Sequence, residues 1–373
     1  MYRFILLTWL LGQTAITLAQ VSGPVDRPPK NIILLIGDGM GLTQVSTAFF
    51  YQDSSTNFER FPITGLIKTS SSSDKITDSA AGATAFSAGV STYNGAIGVD
   101  ADHKPVPTLV ELFSQDGWRT GLVATSSITH ATPASFYAHV ESRNMQEDIA
   151  QQLLTSAVDF FAGGGIKFFA DRKDNVNYYD SAAAHGFLLD STALATDRLS
   201  PAQRYGYLLA PDGMLRMLDN RGSFLPDATQ LAVDYLSLGE NGFFLMVEGS
   251  QIDWGGHAND AQYIISEVLD FDETLGVALD FAEKDGNTLV VVTADHETGG
   301  FALSAAGEQS ATGSDYNELS GTFSTGGHTA TLIPVFAYGP GAAAFSGIYQ
   351  NTEIFHKIMR LTHPDNAPSA GEE

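Results

Sequence analysis

The sequence contains no cysteine among its 373 residues. This absence excludes disulfide bonds and a lipid-modified N-terminal cysteine, and it leaves histidine and oxygen donors as the ligands for any metal. If the chain is exported, its stability must come from its core and from bound metal rather than from disulfides.

Positive charge is also scarce. The chain has 19 Lys and Arg residues against 43 Asp and Glu residues, which gives a net charge of -24. Such a chain lacks the basic surface that nucleic-acid binding requires, and it repels an anionic substrate on average. Phosphate chemistry would therefore need local positive charge, supplied by metal ions and a placed arginine.

Long apolar runs are lacking as well, and the run at the N-terminus is short. Arg3 precedes the apolar segment Phe4–Leu11, and small residues follow at 17–19, a pattern that predicts a signal peptide over residues 1–19. Gln13 and Thr14 interrupt the run before it reaches about 18 residues, which disfavours a membrane anchor. The chain is therefore predicted to be a bacterial protein that is periplasmic or secreted.

The rest of the chain has the pattern of an α/β fold. Short apolar strands alternate with amphipathic helices, which predicts a three-layer αβα sandwich with a central, mostly parallel sheet. Residues 20–373 are expected to form a single domain with short insertions at about 171–225 and 300–321, the first of them polar, irregular and at one edge. The expected strands are Asn31–Ile36, Thr120–Ala124, Gly242–Val247, Thr288–Thr293 and Pro334–Tyr338, and the expected helices are Leu42–Phe50, Ala80–Ala88, Met145–Val158, Ala228–Leu238, Ala258–Ala282 and Glu353–Leu361.

Polar residues follow four of these predicted strands at the point where each strand ends. The carboxyl ends of parallel strands share one edge of a sheet, so these side chains are expected to gather at one place. So many acids together would repel one another unless cations neutralise them. They are Asp38 after the first strand, His130 and Thr132 after the second, Glu248, Asp253 and His257 after the third, and Asp295 and His296 after the fourth.

The types of donor indicate which cations would bind. Histidine with aspartate favours zinc, whereas the oxygen-only set Asp38, Thr132 and Glu248 suits magnesium. The two glycines between Asp253 and His257 predict that a turn, rather than a regular helix, presents these two ligands.

Ser79 is the candidate nucleophile, because it lies at the start of a predicted helix whose N-terminus favours negative charge. No histidine lies near it in sequence, so direct coordination to a metal is the expected means of activation. Arg143 offers a planar fork that suits two phosphate oxygens. His328 would complete a set of two histidines and an aspartate with Asp253 and His257.

These motifs together resemble those of the bacterial alkaline phosphatases, and within that family the compact, cold-active Antarctic bacterial type. The likeness runs from about Pro29 to His356. The motifs that carry it are Asp78-Ser79-Ala80, Ala131-Thr132-Pro133-Ala134, the segment from Glu248 to Asp253, the segment from Asp295 to Gly299, and Gly327-His328.

The resemblance implies three ligand sets and a homodimer. Arg143 would clamp the phosphoryl oxygens, and Asp78 would position that arginine. The first zinc would be held by Asp253, His257 and His328, the second zinc by Asp38, Asp295 and His296 with Ser79 joining as the alkoxide, and magnesium by Asp38, Thr132 and Glu248.

Two positions depart from the best-studied enterobacterial pattern, which has Asp and Lys where this chain has His130 and Trp254. Loss of the lysine removes one water-mediated contact to phosphate. The nitrogen donor of His130 leaves the identity of the third metal open. The short interval between His296 and His328 implies that the large crown insertion of some relatives is absent or much reduced.

The predicted function is that of an alkaline phosphatase that hydrolyses phosphate monoesters to an alcohol and inorganic phosphate through a phosphoserine, using two zinc ions and one magnesium ion. Phosphate would act as product and inhibitor. A phosphodiesterase or sulfatase of the same superfamily is one alternative, and Ser79, Arg143 and the missing cysteine disfavour it. A non-catalytic exported protein that binds metal or phosphate is another, and the complete set of catalytic positions disfavours it.

Overall fold

The computed structural model describes residues 27–195, 199–307 and 315–364. The predicted signal peptide lies outside these residues. Within them, no helix combines the length and the apolar character that crossing a membrane would require.

The strands and helices of these residues alternate along most of the chain. The strands are β1 (Asn31–Gly37), β2 (Ile63–Lys68), β3 (Arg119–Ser127), β4 (Phe160–Gly164), β5 (Phe187–Asp190), β6 (Arg204–Leu208), β7 (Phe243–Gly249), β8 (Thr288–Thr293), β9 (Glu297–Thr298), β10 (Ala302–Ala306), β11 (Asp315–Thr322), β12 (His328–Thr329), β13 (Ile333–Tyr338) and β14 (Gly347–Gln350). The helices are α1 (Leu42–Phe50), α2 (Ser79–Ala88), α3 (Leu109–Gln115), α4 (Ala131–Ala134), α5 (Gln146–Thr155), α6 (Lys167–Ala170), α7 (Tyr178–Ser181), α8 (Phe224–Leu236), α9 (Gln251–His257), α10 (Ala261–Asp285) and α11 (Glu353–Thr362).

Ten of these strands form one sheet, in the order β14-β2-β13-β8-β1-β7-β3-β4-β6-β5. Among the described strands of this sheet, β13 alone runs antiparallel to its neighbours. The other neighbouring pairs are parallel. The prediction of a mostly parallel sheet is therefore confirmed.

Helices cover the centre of the sheet in two groups. One group is α10 with α1, α8 and α9, and α10 contacts β1, β7 and β8. The other is α2 with α3, α4 and α11, of which α3 and α4 contact β3 and β7. Strands β1, β7 and β8 are buried along their whole lengths, which is why their sequences are continuous apolar runs rather than alternating ones.

Two predicted elements, Leu42–Phe50 and Thr288–Thr293, have the bounds seen in the structure. Within residues 171–225, β5 and β6 lie at one edge of the sheet, as predicted. The prediction that this segment is irregular is wrong in part, because these two strands extend the sheet beyond β4. In the second predicted insertion, β10 and β11 form a separate antiparallel pair.

Candidate active site

Four adjacent parallel strands, β8, β1, β7 and β3, bring their carboxyl ends to one edge of the sheet. Asp38 follows β1, and Asp295 and His296 follow β8. Glu248 is the last residue but one of β7, so it lies inside the strand rather than after it as predicted. All four side chains are fully buried. The structure therefore brings these candidate ligands together at one edge of the sheet, as predicted.

The first cluster joins Asp253, His257 and His328. The Nε2 atoms of His257 and His328 lie 3.4 and 3.7 Å from Oδ1 of Asp253 and 3.1 Å from each other. Their Nδ1 atoms lie 2.8 and 2.9 Å from the carbonyl oxygens of Gly326 and Thr77. Because a carbonyl only accepts, each Nδ1 carries the proton, and each Nε2 presents its lone pair to the cluster.

The second cluster surrounds Nε2 of His296. This atom lies 3.2 Å from Oδ2 of Asp295 and 3.6 Å from Oδ1 of Asp38. Oγ of Ser79 lies 3.4 Å from the same atom. Potential ligand atoms of the two aspartates and the histidine all fall within 4.8 Å of one another. The candidate nucleophile thus lies beside a group of side chains that could hold a metal ion.

A third cluster brings Asp38 together with His130 and Glu248, again with ligand atoms within 4.8 Å of one another. Several polar atoms here are buried and have no hydrogen-bond partner: both carboxylate oxygens of Asp38, Oε1 of Glu248, Nδ1 of His130 and Oγ1 of Thr132. Buried polar atoms left unpaired cost about 1–3 kcal/mol each. A cation bound among them would remove that cost, so the donor set fits a metal ion.

The carboxylates of this edge also repel one another. Burial raises the pKa of Asp38 well above its usual range, and the charges of Asp295, Asp253 and Glu248 raise it further. Burial raises the pKa of Glu248 to about 7 and also raises that of Asp295. Cations would relieve this repulsion and keep the carboxylates ionised.

One prediction concerns the protein without bound cations and its Glu248→Gln variant. The folded-state pKa of Glu248 lies above the unfolded value, so ionising this carboxyl destabilises the fold as pH rises from about 4.5 to about 7. The variant should match the parent near pH 4.5 and should be more stable by roughly 3 kcal/mol at pH 8. Urea unfolding of chelated protein at both pH values measures this, and a difference independent of pH would contradict it.

Ser79 is the first residue of α2, and Asp78 caps that helix. Oδ1 of Asp78 accepts hydrogen bonds from the backbone N–H groups of Ala81, at 3.0 Å, and Gly95, at 3.1 Å. Its Oδ2 accepts from Nη1 of Arg143 at 3.0 Å. One carboxylate therefore holds the guanidinium next to the N-terminus of the helix that carries the nucleophile.

His130 and Trp254, the two departures from the enterobacterial pattern, lie together. Their ring centroids are 6.0 Å apart in an edge-to-face arrangement. Nε2 of His130 lies 3.4 Å from Nη2 of Arg143. Burial and the Arg143 charge lower the pKa of His130 to about 3, and burial lowers that of His296 to about 3 as well. Both imidazoles are therefore neutral, and each keeps one nitrogen lone pair.

The prediction of a turn between Asp253 and His257 is wrong, because both residues lie on helix α9. A spacing of four residues places them on one face of that helix. Glycine is needed at Gly256 for close packing rather than for a turn, since a Cβ there would lie 2.8 Å from the carbonyl oxygen of Thr298. Helix α9 therefore packs closely against β9, the short strand that contains Thr298.

Thr298 has no role in the sequence-based prediction, but in the structure it contacts a candidate metal ligand. Oγ1 of Thr298 donates to Oδ1 of Asp253 at 2.5 Å. Thr298 lies in the motif from Asp295 to Gly299, so its position was visible in the sequence, but its partner lies on another element. The carbonyl groups that orient His257 and His328 belong to the backbone and left no signal in the sequence.

This chain is similar to known alkaline phosphatases. The family model for alkaline phosphatase matches residues 29–318. Alkaline phosphatase 3 of Bacillus subtilis (strain 168) is 36% identical, over 89% of this chain and 88% of that protein. Alkaline phosphatase of Escherichia coli (strain K12) is 34% identical, over 89% and 86%. The solved structure of the alkaline phosphatase from the Antarctic bacterium TAB5 is 53% identical and has a TM-score of 0.88, over 91% of this chain and 99% of that one.

The fold and the site thus define a hydrolase of phosphate monoesters. The family match covers most of the chain, and the relatives are similar over nearly their whole lengths. The chain belongs to the alkaline phosphatase family.

Proposed function

We propose that this enzyme cleaves phosphate monoesters in two steps through a phosphoserine at Ser79, and that it uses two zinc ions and one magnesium ion. The observation that carries the proposal is the position of Ser79. Its Oγ lies 3.4 Å from Nε2 of His296, at the start of α2. A hydrogen bond to Asp78 holds the guanidinium of Arg143 next to the same end of the helix.

The three clusters support this assignment of metals. The first cluster offers two imidazole lone pairs and a carboxylate, and the second offers one lone pair and two carboxylates, which are donor sets that zinc prefers. Oxygen donors dominate the third set, as magnesium requires. The residues would be Asp253, His257 and His328 for the first zinc, Asp38, Asp295, His296 and Ser79 for the second, and Asp38, Thr132 and Glu248 for magnesium.

His130 adds a nitrogen donor to the oxygen ligands of the third site, which weakens the preference of that site for magnesium. In the Antarctic TAB5 enzyme, variants in which a histidine is replaced by aspartate or by glutamate have magnesium bound in the M3 site. By the same chemistry, we propose that His130 controls how strongly the third site of this chain prefers magnesium.

In the first step, Oγ of Ser79 attacks the phosphorus atom in line with the leaving group. Oγ gives up its proton as the new Oγ–P bond forms and the bond to the alcohol oxygen breaks, and the alcohol oxygen takes up a proton. Arg143 donates hydrogen bonds to the phosphoryl oxygens, and Asp78 holds its guanidinium in place. When bound, the metal ions lower the pKa of the serine hydroxyl and of water, and they neutralise the negative charge that develops.

In the second step, water attacks the phosphoserine from the side that the alcohol has left. The Oγ–P bond breaks, inorganic phosphate leaves, and Ser79 regains its proton. The N-terminus of α2 favours the negative charge in both steps. Because free phosphate makes the same contacts as the substrate, it should also act as an inhibitor.

We further propose the cellular setting that the sequence predicts. Residues 1–19 would direct export to the periplasm or outside the cell, and residues 20–373 would form a single domain. The enzyme would work as a homodimer.

The test of this function compares turnover of a phosphate monoester, a phosphodiester and a sulfate ester by the same preparation. Monoester turnover should exceed the other two rates at least about a hundredfold, should vanish after chelation, and should return when zinc and magnesium are restored. Metal content by elemental analysis should fall and rise with activity. Faster diester turnover, or activity that survives removal of metal, would overturn the proposal.

A further inference from the structure

Thr298 lies at a junction of four segments that carry candidate ligands. Its backbone N–H donates to the carbonyl oxygen of Gly39 at 3.1 Å, next to Asp38. It pairs across β9 and β12 with His328, and it lies two residues after His296. Its side chain is fully buried and points to Asp253 on α9.

The hydroxyl of Thr298 contacts one ligand of each zinc cluster. Its Oγ1 lies 2.5 Å from Oδ1 of Asp253 in the first cluster and 3.2 Å from Nδ1 of His296 in the second. A hydroxyl carries a single proton, and a carboxylate can only accept. The proton therefore goes to Asp253, and the hydroxyl oxygen must accept a hydrogen bond from Nδ1–H of His296.

This donor arrangement decides which nitrogen of His296 is free. With the proton on Nδ1, the lone pair is on Nε2, which faces Asp38, Asp295 and Ser79. Without the hydroxyl, Nδ1 would lose its acceptor, and the tautomer with the proton on Nε2 would no longer be disfavoured. That tautomer cannot bind a metal through Nε2.

Close packing keeps the hydroxyl between its two partners. Gly39 has a φ of +72°, and a Cβ at that position would lie 2.8 Å from Oγ1 of Thr298 and 2.7 Å from Cα of Asp253. On another side, Gly256 packs against the Thr298 backbone and methyl group. The threonine side chain is therefore enclosed, which keeps its hydroxyl within reach of both Asp253 and His296.

We infer that Thr298 is a positioning residue that couples the two zinc clusters, so that binding of zinc in one raises the affinity of the other. The inference rests on the proposed function, because it concerns the zinc ions assigned there. A zinc ion that orders Asp253 holds the acceptor of the Thr298 hydroxyl in place. The hydroxyl oxygen then stays available to Nδ1–H of His296, in the tautomer that the second zinc needs. No other described side chain hydrogen-bonds to both Asp253 and His296.

The test uses the full-length enzyme stripped of metal and titrated with zinc alone. Thr298→Val removes the hydroxyl at similar volume, Thr298→Ser keeps the hydroxyl, and Thr274→Val removes a buried hydroxyl that bonds only to a backbone carbonyl on α10. Native mass spectrometry counts molecules with none, one and two zinc ions, and competition with a chromophoric chelator gives the affinities.

The parent, Thr298→Ser and Thr274→Val should pass from no zinc to two with little of the one-zinc species. Thr298→Val should accumulate that species and should bind the second zinc about 10–100-fold more weakly. The coupling would be overturned if Thr298→Val bound both zinc ions with the affinities of the parent. It would also be overturned if Thr298→Ser bound the second zinc as weakly as Thr298→Val does. A parent that binds no zinc would instead overturn the proposed function, so the two failures are distinct.

Discussion

Replacing Ser79 by alanine should lower kcat for phosphate monoesters by at least about a thousandfold, because covalent catalysis loses its nucleophile. The substitution removes one oxygen at the start of α2. It leaves in place Asp78, which caps that helix, and the guanidinium of Arg143. Zinc content should change little, since the other ligands of the second cluster remain. Steady-state kinetics with elemental analysis of the same sample gives both quantities.

Ser87→Ala is the matched control, because Ser87 is a buried serine of the same helix whose hydroxyl donates to the carbonyl oxygen of Ser135 at 2.6 Å. It should keep parental kcat. A phosphoserine should be trapped by acid quenching in the parent and in Ser87→Ala, and it should be absent from Ser79→Ala. Turnover by Ser79→Ala within about tenfold of the parent would contradict a serine nucleophile.

Asp38→Asn should have two effects of opposite sign. Asp38 belongs to both the second and the third cluster, so the change should weaken both metal sites and lower kcat by at least about a thousandfold. In the metal-free protein at pH 8, the same change removes a buried carboxylate whose two oxygens have no partner. The free energy of unfolding should therefore rise, by roughly 1–3 kcal/mol. Elemental analysis and urea unfolding after chelation measure the two effects.

Asp272→Asn is the matched control for this prediction. Asp272 is also buried, but its carboxylate accepts hydrogen bonds from the Thr56 hydroxyl at 2.5 Å and from the backbone N–H of Phe58 at 3.3 Å. Its replacement should lower stability and leave metal content unchanged. If Asp38→Asn kept its metals, or made the metal-free protein less stable, the assignment of Asp38 to both sites would be wrong.

The sequence predicted the centre of this fold well because that centre is governed by burial. Continuous apolar runs such as Thr288–Thr293 have one stable place, between two layers of helices. Polar residues that follow such runs then meet at one edge, which is why the sequence pattern predicts that Asp38 and Asp295 lie close together. Burial predicts where a ligand lies far better than how it is held.

The parts that were not predicted depend on contacts between distant segments. Two glycines between Asp253 and His257 predict a turn, whereas Gly256 is needed because α9 packs closely against Thr298. Strands β5 and β6 are short and lie at the edge of the sheet, so their sequences lack the strong apolar pattern of central strands. No local pattern could show that the Thr298 hydroxyl has Asp253 as its partner.

The position of β1 has a consequence for how the protein is made. This apolar strand is near the start of the chain, yet its two neighbours in the sheet are β7 and β8. Asn31 of β1 is paired with Phe243 of β7 and with Thr288 of β8, each more than 200 residues later. A growing chain therefore exposes β1 long before either neighbour has been synthesised, and contacts so distant in sequence form slowly. Until then its unpaired backbone groups can pair with other chains. Translation that stops before β8 should yield an aggregating fragment rather than a smaller folded protein.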